Sequence, residues 1–409
     1  MLSLDVSVPA LLVKIGHYPL HHGGVAAIRT LGRLGVPMYA VTEDRFTPAG
    51  VSRYLREAFV WPTTGAEDPE RLVAGLVRIG RRIGRRTLLI PTDERAAVLI
   101  AEHLDELAEY FLAPRTPAGL TRRLASKQGL YELCLQHDVP TPATTSPAHY
   151  REIEEFAASA RFPVIAKNRD PCARTVETPL RRTTLVATPR ELLTRAAEWG
   201  RQPEVILQEW LPRSEAEDWA VQLHLGAESG SRLLFTGVKV RSFPADAGIT
   251  ACAYSVPNTQ LAEMAADFCK KIGYVGVASL DWRFDRRDGQ YKLVDFNPRI
   301  GAQFRVFETE GGVDVVRALH LEMTGRRTPE SPPVNGRRLI VEHIDPRTRW
   351  AYRRNGYTSP SAPARATETE WGWWARDDLA PVLAMLARSV PSAARMVAGA
   401  WRERRGIGR

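Results

Sequence analysis

Cysteine is scarce and scattered in this chain of 409 residues. Cys134, Cys172, Cys252 and Cys269 form no CxxC pair, which argues against a disulfide framework and against a thiolate zinc site. Each is expected to be a small buried hydrophobe. No apolar run reaches the ~18 residues of a membrane helix, so no span is expected. The apolar stretch at 8–13 is short and leads into Lys14 and strand-like sequence, which does not read as a signal peptide. A cytoplasmic location is therefore the expectation. An aromatic–basic motif for nucleic acid is missing, and no nucleic-acid partner is expected. No Ser–His–Asp or Cys–His set is evident, and there is no internal repeat.

What is present is ordinary for a globular protein: 44% apolar residues and 25% charged ones. The length allows two or three domains. The net charge of +9 suits polyanionic ligands, nucleotides included, without identifying them. Much of the excess is arginine near the C-terminus.

Strand-like runs at 9–16, 37–44, 58–62 and 87–94 alternate with helical patterns at 25–34 and 68–83, which predicts a parallel α/β unit. The Gly23-Gly24 turn could seat a phosphate at a helix N-terminus. It is not a GxGxxG, so a dinucleotide site is not expected. His17, His21 and His22 read as polar loop residues rather than metal ligands, because no carboxylate stands at a suitable spacing.

Residues 276–301, GVASLDWRFDRRDGQYKLVDFNPRIG, carry the chemistry. Asp288-Gly289 signals a hairpin turn. A three-residue loop, 287–289, would place Arg286 opposite Gln290 and Asp281 opposite Asp295. Alternation then puts Ser279, Asp281 and Arg283 on one face of the first strand, and Asp295, Asn297 and Arg299 on one face of the second. Val294 and Phe296 would point away. Asp281, Asp295 and Asn297 offer hard oxygen ligands for Mg²⁺, with Mn²⁺ as an alternative, and Arg299 offers a bidentate phosphate contact. A solvated hairpin face whose charges pair with one another fits the alternation equally well.

This hairpin resembles the metal-binding end of ATP-grasp enzymes, in which a carboxylate on one strand is followed on the next by an acidic residue, Asn and Arg at alternate positions. Asp stands here at two positions where Glu is commoner in that family. Other segments extend the resemblance over residues 10–330. SKQGLYELCLQHDVPTP holds Lys127, and FPVIAKN holds Lys167, two lysines that the resemblance assigns to ATP phosphates. VILQEWLP is similar to the strand and hinge that hold adenine, with Gln208, Glu209 and Leu211 as the matching residues. GVKVRSFPADAG looks like the corresponding region of amino-acid ligases, D-aspartate ligase among them, and carries Lys239 and Arg241 on one strand face. One segment departs from the family: 169–184 lacks the glycines that usually cover the triphosphate, and Arg174, Arg181 and Arg182 stand there instead.

The expectation is an α/β protein: a doubly wound pre-ATP-grasp domain (1–118), a two-lobed ATP-grasp domain (119–330, small lobe about 143–204) and a C-terminal strand, loop and basic helical extension (331–409). The resemblance implies an ADP-forming carboxylate–amine ligase acting through an acyl phosphate. Metals, Lys127, Lys167, Lys239 and Arg299 would neutralise the transfer, and Arg241 would hold the acid's carboxylate. Partners are ATP and a small acid and amine, with a homodimer expected. The basic helical tail packs on the body or contacts a membrane surface or a partner. Two further readings are an ATP-binding regulatory protein without catalysis and a carboxylase- or carbamoyl-phosphate-type enzyme.

Overall fold

The computed structural model describes residues 2–169, 180, 183–200, 203–227, 230, 232–244 and 248–389. Most of the glycine-free loop, Cys172 and the chain beyond 389 lie outside the described residues.

The first unit contains β1 (Ala10–Val13), α1 (His22–Gly32), β2 (Met38–Thr42), β3 (Leu55–Val60), α2 (Pro69–Ile83), β4 (Thr87–Pro91), α3 (Glu94–Glu102), α4 (Leu104–Leu107) and β5 (Phe111–Leu112). Its five strands pair in parallel in the order β3-β2-β1-β4-β5. Alternation decides what each face meets: Ala10 and Leu12 enter the cluster built on α1, while Leu11 and Val13 meet Leu72 and Leu76 of α2 and Ile100 of α3. Helix α1 begins three residues before its expected start. His21 caps it, Nδ1 accepting the Gly24 N–H at 3.0 Å, so the two glycines form its first turn. His22 is buried there rather than lying in a polar loop.

Two short helices, α5 (Leu120–Ala125) and α6 (Lys127–Gln136), come next. The small lobe follows, with β6 (Thr144–Thr145), α7 (Tyr150–Ser159), β7 (Val164–Asn168), β8 (Thr184–Val186), α8 (Pro189–Ala196) and β9 (Val205–Glu209). Its four strands are antiparallel in the order β6-β9-β7-β8, backed by Ile153, Ala157 and Leu192.

The large lobe has β10 (Ala216–Leu225), β11 (Arg232–Phe243), β12 (Ile249–Ser255), α9 (Thr259–Lys271), β13 (Gly276–Asp285), β14 (Gln290–Asn297), α10 (Val315–Met323), β15 (Arg338–Ile340), α11 (Asp345–Asn355) and β16 (Thr369–Trp371). Strand order is β14-β13-β10-β11-β12-β15-β16. The strand expected in the C-terminal extension is β15, which ends at Ile340. Leu130 and Leu133 of α6 and Leu261 and Phe268 of α9 pack with Leu280 and Phe296 of the hairpin. Phe235, Ala251 and Leu339 of the same sheet join the cluster that contains Leu12, α1 and α10. One core therefore runs from the first unit into the large lobe.

The segment after β16 fastens that arrangement. Arg29 of α1 donates to Asp378 Oδ2 at 3.0 Å and to the Trp373 carbonyl at 2.8 Å. Ser52 Oγ and the Arg53 N–H also donate to Asp378, at 2.7 and 2.9 Å, and Arg33 pairs with Asp377. A further helix runs from 380 and is described to 389. Among the described residues no helix is long and apolar enough to cross a membrane. Cys134, Cys252 and Cys269 are free and buried.

Candidate functional site

The hairpin places Asp281 opposite Asp295, but not by the expected route. The turn has four residues, 286–289, so Asp285 rather than Arg286 stands opposite Gln290. The ladder then slips between Asp281 and Trp282, with Trp282 paired to Leu293, which leaves Val294 as an extra residue on β14. The bulge absorbs the longer turn and restores the Asp281–Asp295 pair. It also re-aims Val294, which was expected to point away and instead lines the cleft.

That cleft lies between the two lobes. Lys127, Lys167, Gln208, Glu209, Leu211, Lys239, Asp281 and Asp295 all contribute to its wall. Each lysine arrives on a fixed element. Lys127 is the first residue of α6, where the Ser126 side chain accepts the Gly129 N–H. Lys167 follows the buried run Val164–Ala166 of β7, and Lys239 lies on β11. The two carboxylates each hold an ammonium: Lys239 Nζ is 2.5 Å from Asp281 Oδ1, and Lys127 donates to Asp295 Oδ1. Burial works against ionisation of Asp295, yet Lys127 foremost, with Lys167 and Arg299, holds its carboxyl below the usual range. Burial likewise opposes the charge on Lys127, but Asp295, Glu94 and Asp281 hold its pKa above the ordinary lysine value. Lys167 is different. Burial, and then repulsion from Lys127, lowers its pKa to about 8, and its Nζ donates to Gln208 Oε1 at 2.8 Å.

Asn297 donates to the Ser279 carbonyl at 3.0 Å and accepts from Arg299 Nη2 at 3.1 Å. Arg299 turns towards the first unit, where Nε and Nη2 donate to Glu94 Oε1 at 3.0 and 2.6 Å. Neither residue is part of the cleft wall described above, although both adjoin Asp295. Arg241 leaves the group. The ladder slips on both sides of it, which breaks the alternation expected to put it beside Lys239. Its guanidinium instead pairs with Asp345 of α11 at 2.7 Å.

At the hinge, Glu209 accepts from Arg287 at 2.6 Å, and the Leu211 carbonyl accepts from Arg283 Nη1 at 2.6 Å. The sequence reading missed a second charged group here. Asp218 is clamped between Arg283 Nε and Arg213 Nη2, at 2.7 and 2.5 Å, and all three line the cleft. Burial would raise the Asp218 pKa, but Arg283 and Arg213 hold it below the carboxylate range. Trp210 lies under Arg283, 5.3 Å from the guanidinium carbon. Arg283 shares the Asp281 face two residues on, a visible signal; Asp218 and Arg213 gave none.

No cluster of three or more His, Cys, Asp or Glu side chains suited to a metal occurs among the described residues. The donor set is two facing carboxylates and one amide oxygen, with cations already drawn to both carboxylates. Such a set fits Mg²⁺, which takes few protein oxygens and completes its shell with water and phosphate.

Comparison with known proteins agrees with this architecture. Residues 251–323 match the family model for the carbamoyl-phosphate synthase L chain ATP binding domain. N5-carboxyaminoimidazole synthetase of Staphylococcus aureus, solved with ADP, superposes with a TM-score of 0.61 over 82% of this chain and 81% of its own, at 11% identity. An L-amino acid ligase of Bacillus licheniformis does so with a TM-score of 0.58 over 82% and 76%, at 13% identity. At that identity the shared property is the fold. The chain has the fold of the ATP-grasp proteins, and the family-model match lies within its large lobe. Among curated proteins it resembles the D-aspartate ligase of Enterococcus faecium, 26% identical over 292 residues that cover 68% of each chain.

Proposed function

We propose that this protein is an ATP-dependent ligase that activates a small carboxylic acid as its acyl phosphate and joins it to an amine. The observation that carries the reading is the meeting of Lys127, Lys167 and Lys239 with Asp281 and Asp295 in one interlobe cleft. A carboxylate oxygen attacks the γ-phosphorus of ATP and ADP leaves. The amine nitrogen then attacks the acyl carbon, phosphate leaves, and the nitrogen loses a proton. Both steps bring anions together, so fixed cations lower the barrier without reorganising.

In this reading Lys127 and Lys167 bind phosphate oxygens, and the 208–211 hinge holds adenine. Lys239 faces the charge that develops during transfer, and Arg299 acts on it from beside Asp295. Arg241 acts at a distance, holding β11 to α11 through Asp345. Asp281, Asp295 and Asn297 would hold Mg²⁺, which when bound screens phosphate charge. The small lobe closes on the nucleotide and keeps water from the acyl phosphate. Cytoplasmic location and homodimeric assembly belong to the same reading.

The test is ADP release by the full chain with Mg²⁺ and a panel of amino acids and small acids, with hydroxylamine added to trap acyl phosphate as hydroxamate. Hydroxamate that depends on the acid supports the ligase. ADP release with bicarbonate alone assigns a carboxylase-type reaction, and nucleotide binding without turnover assigns a regulatory role.

A further inference from the structure

The helix that starts at 380 has two apolar sides. Leu379 to Ala387 reads LAPVLAMLA, with no polar side chain before Arg388. Pro381 and Met385 are buried on the body, and Val382 packs against the core shared with α1. At 100° per residue, Leu379, Leu383 and Leu386 fall on the opposite side. There they are 44%, 63% and 51% exposed. A surface helix ordinarily turns a polar face to water, and one that is apolar all round is covered on both sides. Among the described residues, the body covers only one side here.

The surroundings favour one kind of cover. Arg388 Nε donates to the Phe46 carbonyl at 3.2 Å, which brings the helix beside Phe46, itself 73% exposed. Trp374, just before the helix, is 49% exposed. Residues 379–409 contain six arginines against one glutamate, a net +5. Arg388 is paired with Asp44, and the other five arginines follow the apolar stripe in sequence. An apolar, aromatic surface leading into a basic segment matches the boundary between anionic headgroups and acyl chains, where each nearby cation adds ~1 kcal/mol of attraction. A second copy of the chain would bring two such positive segments together, and like charges oppose that pairing.

We propose that the Leu379–Leu383–Leu386 stripe is a docking surface for an anionic lipid bilayer, so that the protein works at a membrane face. The test uses the full chain, co-sedimented with phosphatidylglycerol–phosphatidylcholine vesicles or with phosphatidylcholine alone. The expected result is pelleting with the anionic vesicles only, weakened at high salt. The Leu383→Asp/Leu386→Asp double variant should partition at least ~10-fold less while keeping its circular dichroism and its nucleotide affinity. Wild-type protein that stays in the supernatant overturns the proposal. So does pelleting that the double variant retains. A wild-type dimer in sedimentation equilibrium that the double variant loses would assign the stripe to a second copy and likewise overturn it.

Discussion

Lys167 offers the most direct test of the phosphate site. With its pKa lowered to about 8, the ammonium is about nine-tenths populated at pH 7 and about one-tenth at pH 9. A bound phosphate requires the charged form. ADP affinity should therefore fall about tenfold across that range, or about 1.4 kcal/mol. Binding must also draw a proton onto the neutral fraction, about half a proton per site at pH 8. Lys127, held above its ordinary value, keeps its charge throughout, and Asp295, held below its own, stays ionised. Calorimetry at pH 7, 8 and 9, in buffers of different ionisation enthalpy, reads both quantities. Lys167→Arg remains charged and should give a flat profile after the ligand's own titration is subtracted. The nucleotide-free fold responds with the opposite sign. Between about pH 8 and the ordinary lysine value the unfolded chain binds more protons at this residue, so stability rises with pH. An affinity that is level from pH 7 to pH 9, or a slope that survives in Lys167→Arg, would refute the assignment.

Three further outcomes follow from specific contacts. Asp295→Asn removes the carboxylate that Lys127 holds and should lower Mg²⁺-dependent turnover by about 10²–10³, with an unchanged circular dichroism spectrum; wild-type turnover at limiting Mg²⁺ would take the residue out of the site. Arg29→Ala strands the buried Asp378 carboxylate and should cost about 3–5 kcal/mol of stability, read from the denaturant midpoint. Gly23→Ala places a Cβ 2.6 Å from the Ala302 Cα, a backbone atom that cannot swing aside, and should cost about 1–3 kcal/mol by the same measurement.

Several parts of this molecule could be read from residue order because their signals are local. The runs that became β1, β2, β4 and β7 are continuous and apolar, and Asn258 marks the start of α9. The Asp281–Asp295 pairing was anticipated through two errors that cancel, a turn one residue too short and an unseen bulge at Val294. Nothing in the alternation announces such a bulge, because Val294 suits either face. Helix α11 was missed because only Asp345, Thr348 and Tyr352 of its residues are buried, too few for an apolar stripe. Glu94 lies 205 residues before its partner Arg299, and no periodic pattern reaches that far. The Arg213–Asp218–Arg283 group fails for a related reason, since two of its members meet only across paired strands.

The late arrival of β15 bears on how the chain is made. On a ribosome, 337 residues emerge before Arg338, and until then the outer edge of β12 presents unpaired N–H and C=O groups. The carboxylates of Asp377 and Asp378, which hold α1, come later still. The cleft residues are all synthesised before the sheet that supports them is closed and before the first unit is fastened to it. Nascent chains stopped near residue 330 should expose that edge and aggregate, whereas release of a chain reaching 389 closes it. In this protein the final fifth of the sequence acts as the latch of assembly.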